Sequence, residues 1–276
     1  MGYAGIFTFG QVAIFVIGAY ATGILSKLPL ISPWLGVFLG GIAAAAAGTI
    51  IGLPCLRLKG VYIALVTFAF HLVLGPLIRV GEPIGTGGAM SLRSIPPLTI
   101  LGNPIGTDDK VIWFYLLLGV ISGLSFLNWR IIHSKFGVAF TALRDDELLA
   151  RAAGIDAYRI NLMMFAISAF FTGLLGGFYV EYVGIISTKI LGLDVFLLIM
   201  VVLLVGGLGR FPGVIMGSLI VTFLSYYLRP LAHFRLVIFG AIVLVMVILL
   251  PGGIMEAIDK VSPAITRRFR KTRNRA

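Results

Sequence analysis

The sequence predicts an all-α, polytopic transmembrane bundle of about eight spans with both termini cytoplasmic. Three observations carry that prediction. The 276 residues are 59% hydrophobic and only 12% charged, with a mean hydropathy of +1.06, whereas a soluble domain of this length is about one-quarter charged. The apolar stretches are continuous rather than alternating, which selects helices over barrel strands for satisfying the backbone in lipid. Finally, the basic residues divide unevenly between the segments that separate the apolar runs, as orientation by charge requires.

Taken in order, the spans run roughly over Ile6–Leu25, Pro33–Leu53, Val61–Ile78, Val111–Leu127, Asn161–Val180, Asp194–Val205, Val214–Leu228 and Phe234–Leu250. Gly2, Gly5 and Gly10 precede or interrupt the first. Ala19-Tyr20-Ala21 has the form of a signal-peptidase site, but no basic stretch precedes it, so the segment reads as a retained span. The sixth and seventh spans are short, and the stretch between them, Gly206 to Gly213, is too rich in Gly and Pro to be mid-helix. A tight hairpin and two helices extending into the turn both fit. With the N-terminus inside, 15 of the 22 basic residues fall on the cytoplasmic side, seven of them in the tail 259–276. Acidic residues split almost evenly, so the bias lies in Lys and Arg. The chain 1–276 therefore reads as one transmembrane domain with an outer loop 79–110 and a cytoplasmic loop 128–160.

The net charge of +11 raises nucleic acid as a partner. No basic stretch is interleaved with aromatics on a polar scaffold, so membrane lipid headgroups are the expected counter-surface and nucleic acid is not. Cys55 is the only cysteine, which excludes an internal disulfide and a cysteine-cluster metal site. Small residues four apart, at Gly36/Gly40, Gly48/Gly52, Gly119/Gly123, Gly173/Gly177 and Gly209/Gly213/Gly217, predict close helix packing into a compact bundle.

Polar residues concentrate in a few places. The outer loop holds Glu82, Thr86, Gly87, Gly88, Ser91 and Arg93, and a loop this long is either a connector or the cover of a site. In the cytoplasmic loop, Phe136, Phe140 and Leu143 form one apolar stripe. Asp145 to Gly154 then reads as a short helix, with Asp145 as N-cap, Asp146 and Glu147 at the positive end, Arg151 at the negative end and Gly154 at the C′ position. A two-turn helix is unstable alone and must dock on something. It is either an interfacial helix lying on the bilayer or a docking element for a cytoplasmic partner protein, and its acidic start argues against anionic lipid as the partner. Within the spans, His71 and Gln11 are candidates for function, because polar groups in lipid are costly. Glu181, at the outer end of its span, is expected to be solvated. The chain has no G-x-x-x-x-G-K-[ST], no H-E-x-x-H and no G-x-S-x-G, so neither catalysis nor a bound cofactor is expected of it.

These stretches together resemble the permease subunits of branched-chain amino acid ABC transporters, the LivM type in particular. The resemblance lies in Gly2-Tyr3-Ala4-Gly5 through Gly10, Gly18-Ala19-Tyr20, Leu56 through Tyr62, and Thr86-Gly87-Gly88. It continues through Gly137 to Asp145, Ala153-Gly154-Ile155, Ile167 to Phe170, Gly206 to Gly209 and Pro251-Gly252-Gly253. It implies an importer in the plasma (inner) membrane, powered by cytoplasmic ABC ATPase subunits. It also implies a second homologous permease subunit and an extracytoplasmic substrate-binding protein. Arg144, Asp145, Asp146, Glu147, Arg151 and Gly154 would then contact the ATPase, and Thr8, Gln11, His71, Thr86, Gly87 and Gly88 would line the substrate path. The departures are that Gln11 stands where relatives often have His, and His71 where they are often acidic. Carriage of urea or short amides, and a stand-alone secondary transporter or channel, are the alternatives.

Overall fold

A computed structural model describes residues 8–58, 60–100, 103–106, 109–207, 211–228, 237–241 and 244. The chain divides into two units, Tyr3–Leu191 and a second made of Gly192–Ala276 with Met1–Gly2. The first unit holds α1 (Gln11–Leu25), α2 (Pro33–Cys55), α3 (Val61–Val80), α4 (Lys110–Ile132), α5 (Lys135–Asp145), α6 (Glu147–Ala152) and α7 (Ala157–Val183). The second holds α8 (Leu193–Gly206) and α9 (Phe211–Tyr227). Among the described residues, α2, α3, α4 and α7 are long and apolar enough to cross a membrane, while α1, α8 and α9 are shorter apolar helices. Most of the expected eighth span, Phe234–Leu250, lies outside the described residues.

Local chemistry sets where these helices start and stop. Ser32 accepts the Leu35 N–H at 3.4 Å and Pro33 takes the first helical position, so α2 begins there. The Asp156 carboxylate accepts the Arg159 N–H at 3.1 Å and starts α7 four residues ahead of the apolar run. Gly184 closes α7 with φ +70°. Hydropathy marks only the part of a helix that meets lipid, and the caps extend it on both sides.

The centre of the first unit is a seam of α1, α2 and α7. Gly18 lies against the backbone of Gly173, Thr22 against Gly177, and Ser26 against Glu181, in steps of four, so α1 and α7 run parallel. The α2 helix runs antiparallel to both, with Gly40 against Gly18 and Thr22, and Gly48 against Ala169. A Cβ at Gly18, Gly40 or Gly173 would overlap a neighbouring helix, so only glycine allows this approach. Ile14, Ala44, Phe165 and Ala169 close the seam toward the start of α7.

Two expectations of close packing part company here. The Gly36/Gly40, Gly48/Gly52 and Gly173/Gly177 pairs are in contact, whereas Gly119 and Gly123 of α4 have nothing within 4 Å among the described residues. Of the α4 side chains only Trp113 is buried. In the second unit α8 and α9 extend into the Gly-rich stretch and pack closely, with Gly206 against Gly213 and Gly217 against Gly206. Residues 208–210 between them lie outside the described residues. Gly207, at φ +94°, ends α8.

Candidate functional site

The candidate residues occupy three places in the first unit. At the start of α1, residues 8–10 are not helical and Gly10 stands as the N-cap with no side-chain cap. The Phe9 N–H donates to Thr67 Oγ1 at 3.0 Å. Thr67 is the seventh residue of α3, so α1 begins about 9 Å along α3 rather than level with its end. Thr8 is buried, and its hydroxyl has no hydrogen-bond partner among the described residues. One turn beyond Thr67, His71 is fully buried and stacked on Phe68, whose ring meets Phe9 edge-on.

Gln11 spends its amide between helices. Its Nε2 donates to Ser168 Oγ at 3.2 Å, and its Oε1 accepts from Thr172 Oγ1 at 3.0 Å. Ser168 and Thr172 lie one turn apart in the middle of α7. The structure thus places His71 beside the Phe9–Thr67 contact next to Thr8 and ties Gln11 to α7, and it adds Thr67, Ser168 and Thr172, which the sequence reading passed over. The signal was present: hydroxyl side chains one turn apart in an otherwise apolar helix place two polar groups on one face.

Thr86, Gly87 and Gly88 lie elsewhere, beyond the far end of α3. Thr86 Oγ1 donates to the Ile78 carbonyl at 2.8 Å and accepts the Gly88 N–H at 3.3 Å. Gly87 has φ +73°, and a Cβ there would stand 2.6 Å from the Ser91 carbonyl oxygen, so this turn needs glycine. The segment that follows is packed down rather than loose. Leu92 exchanges two backbone hydrogen bonds with Ile186, at 2.9 and 3.0 Å. Leu98, Ile105 and Trp113 bury themselves against Val37 and Phe178. The indole N–H groups of Trp34 and Trp113 donate to the Thr99 and Gly106 carbonyls. The segment is a cover with its own core.

At the opposite end of α7, α5 and α6 form a compact corner. Asp146 caps α6, accepting the Leu149 N–H at 3.0 Å. The expected cap, Asp145, is instead the last residue of α5 and pairs with Arg144 at 2.8 Å. The helix starts one residue later because Asp146 has the extended backbone that an N-cap requires, while Asp145 is still helical. Glu147 and Arg151 pair at 2.6 Å one turn apart, and Gly154 takes φ +86° just past the helix. Leu143, Ala150 and Ala157 form the contact that seats α6 on α5 and α7. Phe140 and Leu143 are buried as the stripe requires, whereas Phe136 is 51% exposed. Leu148 and Leu149, which follow the acidic start of α6, are 82% and 71% exposed.

Glu181 departs from expectation. It is 2% exposed rather than solvated, and its Oε1 accepts from Ser26 Oγ at 2.8 Å. It is buried because α7 extends beyond it to Val183 and α1 and α2 close over it. Among the described residues, no three His, Cys, Asp or Glu side chains gather to hold a metal ion.

Long apolar helices and a glycine-packed seam define a multi-pass helical membrane protein. The chain belongs to the family described as branched-chain amino acid transport system / permease component, whose profile matches residues 1–251. It is 29% identical to the high-affinity branched-chain amino acid transport system permease protein LivM of Escherichia coli (strain K12), over 92% of this chain and 65% of that protein. It is 25% identical to the ribose import permease protein RbsC of the same organism, over 78% of this chain and 70% of that one. To the permease protein LivH of Salmonella typhimurium it is 26% identical, over 55% of this chain and 48% of the relative. The chain thus spans 65% of the length of LivM. No solved structure matches it. The family is one of transport permeases rather than of enzymes.

Proposed function

We propose that this chain is the membrane-spanning permease subunit of an ABC importer in the plasma (inner) membrane, carrying branched-chain or similar hydrophobic amino acids with ATP hydrolysed by partner subunits. The α5–α6 corner is the observation that carries this reading. A six-residue helix is rigidly seated, through Ala150 on Leu143 and Ala157, yet presents Leu148 and Leu149 outward beside Arg144, Asp145, Asp146, Glu147 and Arg151. Apolar side chains ringed by charge suit a protein partner better than lipid or water.

In this reading both termini are cytoplasmic, the corner receives the ATPase subunits, and the cover 79–110 faces the extracytoplasmic binding protein. A second homologous permease completes the membrane part. A displacement of α6 reaches α7 through Ala157, and α7 carries it along the seam to α1 and α2. The substrate path runs past Thr8, Gln11 and His71, with the Thr86–Gly88 turn at its outer mouth. Gln11 is then a gate as well as a lining residue, because opening the path beside it breaks its bonds to Ser168 and Thr172.

The test is uptake by the assembled transporter with two variants. Asp145→Lys with Asp146→Lys reverses the charge, and Leu148→Glu with Leu149→Glu spoils the apolar centre while keeping the Asp146 cap. Both are expected to abolish ATP-driven uptake with the protein still in the membrane. Persistent uptake would remove the docking role, and uptake by the purified chain alone in liposomes would favour a channel or secondary transporter. Competition by urea or acetamide but not by leucine would transfer the reading to short amides.

A further inference from the structure

Tyr158 of α7 makes a contact that neither the path nor the docking corner accounts for. Its hydroxyl donates to the Leu53 carbonyl at 3.0 Å, from 105 residues away in sequence. Leu53 stands in the last turn of α2, where the backbone bonds step over its carbonyl. The Leu56 N–H goes to Gly52, the Arg57 N–H to Pro54 and the Leu58 N–H to Cys55, as the helix tightens from four-residue to three-residue spacing. Pro54 also brings no N–H to the Ile50 carbonyl one turn back, so this turn is already short of one rung. The end of α2 is therefore held from outside. A Cβ on Gly52 would stand 3.2 Å from Leu162 and 3.3 Å from Phe165. Tyr158, Leu162 and Phe165 fall at i, i+4 and i+7, one face of α7.

Another face of the same turn belongs to the corner. Ala157, next to Tyr158, is buried with Ala150 of α6 and Leu143 of α5. Successive helical residues point about 100° apart, so one turn of α7 meets α6 on one side and α2 on another. That turn is stiffened by its own chemistry. The Asp156 carboxylate accepts the Arg159 N–H at 3.1 Å and pairs with the Arg159 side chain at 3.0 Å. A shift of Ala157 is then also a shift of Tyr158.

We infer that Tyr158 is a positioning residue for transport: its hydrogen bond to Leu53 makes the end of α2 follow the α5–α6 corner when the ATPase subunits move that corner. Through Gly40 and Gly48, α2 lies against α1 and α7, so a tilt that starts at Leu53 reaches the helices joined by Gln11. Without the hydroxyl the ring still fills its place, but the Leu53 carbonyl is released and the turn at Pro54 bends independently. The corner then moves without α2, and ATP is hydrolysed without substrate being carried. This inference deepens the docking reading of the previous subsection and rests on it.

The test uses the assembled transporter with its binding protein in proteoliposomes and reads ATP hydrolysed per substrate carried, with leucine as the probe, or acetamide where uptake selects it. Tyr158→Phe removes only the hydroxyl and is expected to raise that ratio about fivefold, the effect of losing one hydrogen bond, with the ATPase subunits still bound. Replacing Tyr158 by 4-aminophenylalanine, which keeps a donor at the same reach, is expected to hold the ratio near that of wild type. A merely structural contact would lower uptake and hydrolysis together and leave the ratio unmoved. An unmoved ratio in Tyr158→Phe would overturn the inference, as would a raised ratio that the amino variant does not restore. Should Tyr158→Phe not assemble, Asp156→Ala, which loosens the turn but keeps the hydroxyl, is expected to raise the ratio to a smaller degree, and an unmoved ratio there would overturn the inference equally. The charge reversal at Asp145 and Asp146 separates the two readings. If it leaves ATP-driven uptake intact, the docking reading falls and this inference with it. If it abolishes uptake while Tyr158→Phe leaves the ratio unmoved, only this inference falls.

Discussion

Two helices of the first unit, α7 with 27 residues and α4 with 23, are both long and apolar enough to cross a membrane, and each carries a pair of glycines four apart. In α7 the pair Gly173/Gly177 lies in the seam with α1 and α2, and 39% of its apolar stretch is buried. In α4 the pair Gly119/Gly123 touches nothing among the described residues, and 6% of its apolar stretch is buried. The difference shows that a small-xxx-small pattern permits close approach without causing it. What causes approach in α7 is reciprocity: each of its glycines meets a glycine or a small residue on α1 or α2, so backbone meets backbone along several turns. Among the described residues no such complementary row faces α4.

Substitutions that add a side chain to each helix sharpen this contrast. Gly18→Leu, which forces α1 away from the Gly173 backbone, is expected to cost about 3 kcal/mol or more and to abolish a cooperative thermal transition in detergent. Gly177→Ala meets the movable Thr22 hydroxyl as well as Val37, and is expected to cost about 2 kcal/mol with a lowered but still cooperative Tm. Gln11→Ala removes two hydrogen bonds between α1 and α7 and is expected to cost about 1 kcal/mol by the same measurement, since such bonds in membranes are individually modest. Gly119→Ala and Gly123→Ala are expected to raise stability by about 0.5 kcal/mol each, because alanine is the better helix former where nothing is in the way. A loss of stability from the α4 pair, or none from Gly18→Leu, would break the contrast.

Much of the helical architecture is readable from the chain. The starts of α2, α3, α4 and α7 fall within about four residues of the apolar runs, an offset of the size caps introduce. The Asp145–Gly154 helix is legible because capping is local: a carboxylate, a turn of good helix formers and a glycine suffice. Its start is misplaced by one residue, since two adjacent aspartates can each cap and α5 continues into the first. Thr8, Gln11 and His71 are legible as polar groups in apolar runs, but their partners are not. Ser168 and Thr172 come within reach of Gln11 from a helix about 160 residues away in sequence.

Glu181 marks the boundary between the two kinds of knowledge. Composition and hydropathy by themselves determine that the chain is helical and membrane-embedded, because too few charges exist to cover a soluble surface and lipid admits no unpaired backbone. Only the tertiary structure decides which polar groups are hidden. The depth of Glu181 depends on α7 running on to Val183, on α1 ending at Ser26 and on Gly36 leaving room for both. Burial is a property of three helices meeting at one point, and no single stretch of sequence carries it.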